Sequence, residues 1–165
     1  MDNIILIGMP GAGKSTLGVL LAKAMGKLFV DTDIIIQQKT KRLLQDIIDN
    51  EGTDAFLKLE EDILLTVDEE NTVIATGGSA VYSEKAMEHF RKNGKIVYLH
   101  VDFAEIEKRV TNITTRGIVL KNGKSLSDAF EERKPLYDKY ADVVIDCTGS
   151  TIENSVKMLT EKLNK

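Results

Sequence analysis

The sequence predicts an α/β fold of three layers, a parallel sheet with helices on both faces, and three observations carry that prediction. Short apolar runs of strand length alternate with helical periodicities along all 165 residues, the order that right-handed strand–helix–strand crossovers produce. The first run opens directly into a glycine-rich turn, Gly8-Met9-Pro10-Gly11-Ala12-Gly13-Lys14-Ser15-Thr16, which fits G-x-x-x-x-G-K-[ST]. Two later runs end in Asp31-Thr32-Asp33 and in Thr76-Gly77-Gly78-Ser79. Ligands of open α/β sheets bind at the carboxyl ends of the strands, so these three segments are expected along one edge.

Asn3 to Ile7 is the first strand. Leu17, Leu20, Leu21 and Ala24 recur at helical spacing behind the turn, so the turn joins a strand to a helix, as a phosphate-binding P-loop requires. Gly8, Gly11 and Gly13 permit backbone approaches that a side chain would block, and the backbone of Gly11, Ala12, Gly13, Lys14, Ser15 and Thr16 is the candidate phosphate cradle at the helix N-terminus. Lys14 is placed for the β and γ phosphates and the Ser15 hydroxyl for magnesium.

Gly26 stops this helix, and Leu28-Phe29-Val30 is a second strand ending in Asp31 and Asp33. With a period of two, both carboxylates face one side, toward the phosphates; either aspartate alone also reads as the cap of a helix starting near Ile34. Helical patterns run from Ile34 to Lys39 and from Leu43 to Asn50. Thr53 is placed to cap a longer helix through Val67, with Phe56, Leu59, Ile63 and Val67 on one face. Val73-Ile74-Ala75 is a third strand. The paired glycines after it suit either close backbone approach to a ligand or a plain tight turn.

Ser83 begins a helix that ends at Asn93-Gly94, Ile96 to Val101 is the fourth strand, and Asp102-Phe103-Ala104-Glu105 has the form of a capping box. From Thr111 to Lys124 the apolar periodicity fails around Arg116-Gly117, which predicts a mobile loop. A helix from about Ser125 carries Glu131-Glu132-Arg133-Lys134-Pro135-Leu136-Tyr137. Val143-Val144-Ile145 is the last strand, and Thr151 caps a terminal helix with Ile152, Val156, Leu159 and Leu163 inward.

A chain of this length, 42% hydrophobic and 29% charged, suits one soluble domain spanning residues 1–165. Its formal charge of −4 argues against a nucleic-acid protein and suits a small anionic substrate met by local positive groups. Cys147 is the single cysteine, which excludes an internal disulfide; His89 and His100 stand far apart and read as structural or solvent-facing. With neither a leader sequence nor an apolar run of spanning length, a cytoplasmic protein with no membrane partner is expected. Of 22 basic residues five are arginine, and Arg109, Arg116 and Arg133 fall late in the chain. Lysine supplies most surface charge, which leaves arginine for bidentate contacts to phosphate and carboxylate.

Assembled, these residues resemble the shikimate kinases over nearly the whole chain. The resemblance rests on the P-loop, Asp31-Thr32-Asp33, Phe56 with Glu60-Glu61, Thr76-Gly77-Gly78, Arg116, and Arg133-Lys134-Pro135-Leu136-Tyr137. It implies a P-loop kinase of the nucleoside-monophosphate-kinase type, with a five-stranded parallel sheet. A substrate-binding helical region about 33–61 and a mobile lid about 111–124 would belong to it. The implied reaction transfers the γ-phosphate of ATP to the 3-hydroxyl of shikimate, in aromatic amino-acid synthesis, with Mg2+ as cofactor and a monomer as the expected state.

By the same resemblance Lys14 holds the β and γ phosphates, and Ser15 binds magnesium with Asp31 assisting through water. Asp33 binds the substrate hydroxyls and orients or deprotonates the attacking one. Gly77 and Gly78 present N–H groups, Arg133 binds the carboxylate, Arg116 closes over the transferring phosphate, and Arg109 lies against adenine. Three positions depart from the family pattern: Leu57 stands where an arginine grips the substrate carboxylate, Ser79 replaces a third glycine, and Gly117 replaces a proline. The Leu57 change leaves open a kinase of the same fold acting on another small hydroxylated metabolite, and a nucleotide-binding protein with little turnover is a further alternative.

Overall fold

The structure, a computed structural model, describes residues 2–111, 118–121 and 123–165. Strand β1, Asn3–Ile7, is buried along its whole length. A strand covered on both faces needs a continuous apolar run instead of an alternating one, and that is what its isoleucines and leucine supply. The remaining strands are β2 (Leu28–Asp31), β3 (Thr72–Ala75), β4 (Gly94–His100) and β5 (Val143–Asp146). They form one five-stranded sheet in the order β2-β3-β1-β4-β5, every pair parallel. Because β1 lies between β3 and β4, the chain leaves it toward one side of the sheet and later crosses to the other. The crevice at this switch point, above the carboxyl end of β1, receives the glycine turn.

The helices among the described residues are α1 (Lys14–Met25), α2 (Thr32–Thr40), α3 (Leu44–Glu51), α4 (Thr53–Leu64), α5 (Glu84–Lys92), α6 (Phe103–Thr111), α7 (Leu126–Tyr140) and α8 (Ile152–Leu163). The main core joins the sheet to α1, α5, α7 and α8. A smaller cluster of Ile36, Leu44, Ile47, Phe56, Ile63 and Val119 holds α2, α3 and α4 together beside the cleft. None of these helices is long and apolar enough to cross a membrane.

Several boundaries differ from the sequence reading for local reasons. The second helix starts at Thr32, ahead of Ile34, because Asp31 caps it by accepting from Asp33 N–H at 2.9 Å. Asp33 is therefore helical, and the period-of-two argument that paired it with Asp31 does not apply. Gly52, not Thr53, is the N-cap of α4, and that helix ends at Leu64, short of Val67. No capping box forms at Asp102: its carboxylate meets His100 Nε2 at 3.1 Å, and Glu105 Oε2 accepts from Gly149 N–H. A capping box does form at Ser125 and Asp128, opening α7.

Ile152, expected inward, is exposed; of the residues at helical spacing in α1, Leu20 and Ala24 are exposed, and Gly18 and Ala22 join Leu17 and Leu21 on its inner face. Gly18 sits where an added Cβ would come 2.6 Å from the Phe29 ring, so the helix approaches β2 closer than any larger residue permits. His89 bonds Val67 O, and His100 lies between Tyr98 and Asp102, both structural roles.

Candidate active site

Gly13 caps α1 in the left-handed conformation, φ 95°, with no side chain of its own. The first N–H groups of the helix therefore face outward as a ready anion site. Lys14 is buried, and its Nζ donates to Gly8 O at 2.7 Å and Met9 O at 2.8 Å, which holds the ammonium over the turn. Ser15 Oγ donates to Asp31 Oδ2 at 2.6 Å. Asp31 thus serves in two ways, capping α2 with Oδ1 and joining the P-loop with Oδ2.

The structure brings Gly13, Lys14, Ser15, Thr16, Asp31, Asp33, Gly77, Gly78 and Arg133 to the wall of one cleft of roughly 270 Å³. Gly11, Ala12 and Arg109 lie on the other flank of the P-loop, around a recess of roughly 450 Å³ that shares Gly13 and Thr16 with the cleft. Arg109 donates from Nη1 to Gly11 O at 2.9 Å and pairs with Glu105 at 3.3 Å. Arg116 and the middle of the predicted lid lie outside the described residues. The end of that segment packs on the cleft wall: Val119 is buried in the smaller core, and Leu120 O accepts from Thr53 Oγ1.

Gly77 and Gly78 are required by space. A Cβ at Gly77 would lie 2.8 Å from Asp33 Oδ1 and 3.1 Å from Glu60 Oε2, and one at Gly78 would lie 2.7 Å from Pro10 Cδ. The glycine turn thus presses its backbone against the P-loop on one side and two carboxylates on the other. Tyr137 on α7 donates to Gly78 O at 2.6 Å and stacks on Tyr98 with centroids 5.0 Å apart. Burial pushes the Tyr137 phenol up, so it remains a donor.

Arg133 is almost fully buried. Nε donates to Tyr82 OH at 3.1 Å, Nη2 donates to Val119 O, and the guanidinium lies 5.2 Å from the Tyr82 ring centroid. These contacts aim it at the cleft and restrain it, which suits planar recognition of an anion.

Three site groups carry no role in the sequence reading: Glu60, Tyr82 and Tyr137. Glu60 is 2% exposed, accepts from Ser79 Oγ at 2.7 Å, and lines the cleft. Its carboxyl is pushed up to about 7, first by burial and then by Asp33, while Ser79 and Arg133 pull it down. A signal was present in the sequence, because Glu60 falls at i+4 from Phe56 and i−3 from Ile63, a charge inside the apolar stripe of α4. Leu57 is turned from the cleft into an outer recess with Lys58, Glu61, Tyr82 and Ser83. Lys58 faces away, bonded to Asp62 at 2.9 Å.

Comparison with known proteins gives one consistent result. The family model for shikimate kinase matches residues 10–164. The shikimate kinase of Francisella tularensis subsp. novicida is 35% identical over 162 residues, covering 96% of this chain and 92% of the relative. That of Francisella philomiragia is 36% identical with the same coverage. Among solved structures, shikimate kinase from Acinetobacter baumannii in complex with shikimate superposes with a TM-score of 0.88 at 27% identity, covering 99% of this chain and 93% of the other. Shikimate kinase from Bacteroides thetaiotaomicron gives 0.83 at 30% identity, with 99% of each chain covered.

Proposed function

The chain belongs to the shikimate kinase family, and from that premise we propose that its cleft takes shikimate beside ATP, with Lys14, Asp33, Arg116 and Arg133 carrying the transfer. The enzyme is an ATP-dependent phosphotransferase with an alcohol acceptor, making shikimate 3-phosphate and ADP. The observation that carries the residue assignment is the convergence of Gly13 to Thr16 of the phosphate cradle, Asp33 and Arg133 on one cleft.

Phosphoryl transfer asks the protein for position and charge more than for covalent help. The cradle of Gly11 to Thr16 receives the phosphates on backbone N–H groups, and Lys14 Nζ, already directed over the turn, meets the charge that develops between β and γ. Asp33 accepts from the attacking hydroxyl and orients it, Gly77 and Gly78 line its approach, and Arg133 holds the carboxylate of the acceptor. Arg116 is assigned the transferring phosphate and Arg109 the adenine side, where it borders the second recess.

Ser15 and Asp31 fit magnesium: a hydroxyl and a carboxylate 2.6 Å apart are hard oxygen donors. No cluster of three or more histidine, cysteine or carboxylate side chains among the described residues offers an all-protein cage. That matches an ion held by one or two protein oxygens and the substrate phosphates. When bound, the ion neutralises phosphate charge.

ADP release coupled to NADH oxidation, with and without shikimate, tests the assignment: release should depend on shikimate. Release unaffected by shikimate, or faster with an uncharged polyol, refutes it. Gly77→Ala should lower kcat/KM for shikimate about 100-fold, because displacing Asp33 by an ångström spoils alignment of the attacking oxygen. Affinity for an ATP analogue should stay within about threefold, since the added Cβ meets Asp33 and Glu60, not the cradle. Equal losses of shikimate and nucleotide binding would count against this division of the cleft.

A further inference from the structure

Glu60 Oε2 is buried and has no hydrogen-bond partner among the described residues, while Oε1 accepts from Ser79 Oγ. A buried carboxylate oxygen without a donor is costly, so the group must have a use or a second state. Oε2 points over the Gly77 backbone toward Asp33 Oδ1: the two oxygens lie 3.1 and 2.8 Å from one point, the place a Cβ would occupy on Gly77. Carboxylates from α4 and α2 therefore converge on the glycine floor of the cleft.

Among the described residues the cleft wall carries two cations, Lys14 at the P-loop and Arg133, and the one that acts on Glu60 is Arg133. Leu57 brings no charge, and Lys58 is engaged by Asp62 and Glu61 on the outer surface. Two of the Arg133 nitrogens are already directed to Tyr82 OH and Val119 O. If Glu60 were ionised when a carboxylate arrived, two anions would share one partly engaged guanidinium, with Asp33 close by. A proton on Oε2 removes the like charge beneath the ligand and ends the cost of keeping an unpaired carboxylate oxygen charged and buried.

We propose that Glu60 is a specificity-determining residue of the acceptor subsite, and that an anionic acceptor binds together with a proton held on Glu60 Oε2. The proposal rests on the reading of shikimate, a carboxylate, as acceptor. The charged groups acting on Glu60 are Asp33 from α2 and Arg133 from α7. Ser79 faces it from the glycine turn, and Tyr82, Lys58 and Glu61 border it in the outer recess. Neither α3 nor α5, which also pack on α4, contributes a charge that acts on it. With its carboxyl pushed up to about 7, the proton is available in the neutral range without a large cost. Linkage then sets the sign: affinity is full below about pH 7 and falls as Glu60 ionises above it.

The test is titration calorimetry of the full chain with shikimate from pH 6 to 8.5, in buffers of two ionisation enthalpies. The dissociation constant should rise about 10- to 30-fold across that range, with nearly one proton taken up per ligand at the upper end. Glu60→Gln, which keeps the shape but cannot ionise, should flatten the profile and abolish the proton uptake. A flat wild-type profile without proton uptake, or an unchanged slope in Glu60→Gln, overturns the proposal. If Glu60→Gln does not fold, the wild-type proton count decides alone. Failure of shikimate to bind at any pH overturns the acceptor reading and this proposal with it, whereas tight binding with no pH dependence overturns the proposal only.

Discussion

Lys14→Ala is expected to lose at least about 100- to 1000-fold in kcat, the scale on which removal of a single charge-stabilising donor acts. The expectation comes from placement: the ammonium sits over the P-loop turn, on the carbonyls of Gly8 and Met9, where the β and γ phosphates are held in the proposed reaction. The fold should change little. Removing Lys14 takes a donor from Gly8 O and from Met9 O, which still accepts from Ala12 N–H, and it also removes a buried cation whose desolvation opposes folding. Thermal unfolding should therefore move by a few degrees at most, while ADP release nearly vanishes. Retention of activity within about tenfold would remove Lys14 from the transition state.

Arg133→Met should act on both substrate binding and stability. A charge-assisted hydrogen bond contributes roughly 1.5–3 kcal/mol, so losing the proposed carboxylate contact should raise KM for shikimate about 10- to 200-fold. The side chain also donates to Tyr82 OH and Val119 O. Val119 O, left buried and unsatisfied, costs about 1–3 kcal/mol, or about 2–4 °C in the midpoint per kcal/mol for a chain of this size, while the half-buried Tyr82 hydroxyl keeps Glu132 as a partner.

The stability loss should depend on pH. Arg133 holds the Glu60 carboxyl down, so its removal raises that carboxyl further above 7. A carboxyl raised in the folded state favours folding below its unfolded value of 4.5 and loses that contribution as pH rises through its folded value. Wild type has lost it by just above 7, and the variant goes on losing it at higher pH. The difference in midpoint between the two proteins should accordingly widen from pH 6 to 8.5. A constant difference would show that Arg133 and Glu60 are not coupled, and an unchanged KM would place the acceptor carboxylate elsewhere.

The turn proposed as the phosphate cradle was determined by the sequence alone because its geometry is local. Glycines, a lysine and a hydroxyl residue in one continuous turn between a strand and a helix specify a ring of N–H groups without help from distant residues. The parallel five-stranded sheet was legible for a related reason, since the alternation of apolar runs and helical periods restricts topology to right-handed crossovers. At Asp33 the placement held but the reason did not: both aspartates line the cleft, yet Asp33 gets there from the first turn of a helix, because the Asp31 side chain ends β2 by capping it.

The half of the cleft proposed for the acceptor was decided only by tertiary structure. Glu60 meets Ser79 nineteen positions later, Tyr137 reaches Gly78 across fifty-nine, and Arg133 is placed by Tyr82, fifty-one positions earlier. No period or motif within one element encodes such meetings. Leu57 shows the limit most sharply: one residue from Phe56 is about 100° around a helix, enough to put Phe56 on the cleft wall and Leu57 in the outer recess. Sequence named the residue types; the packing of α4 and α7 against the glycine turn decided which charges face one another, because burial and opposite charge are properties of the assembled core and not of any segment.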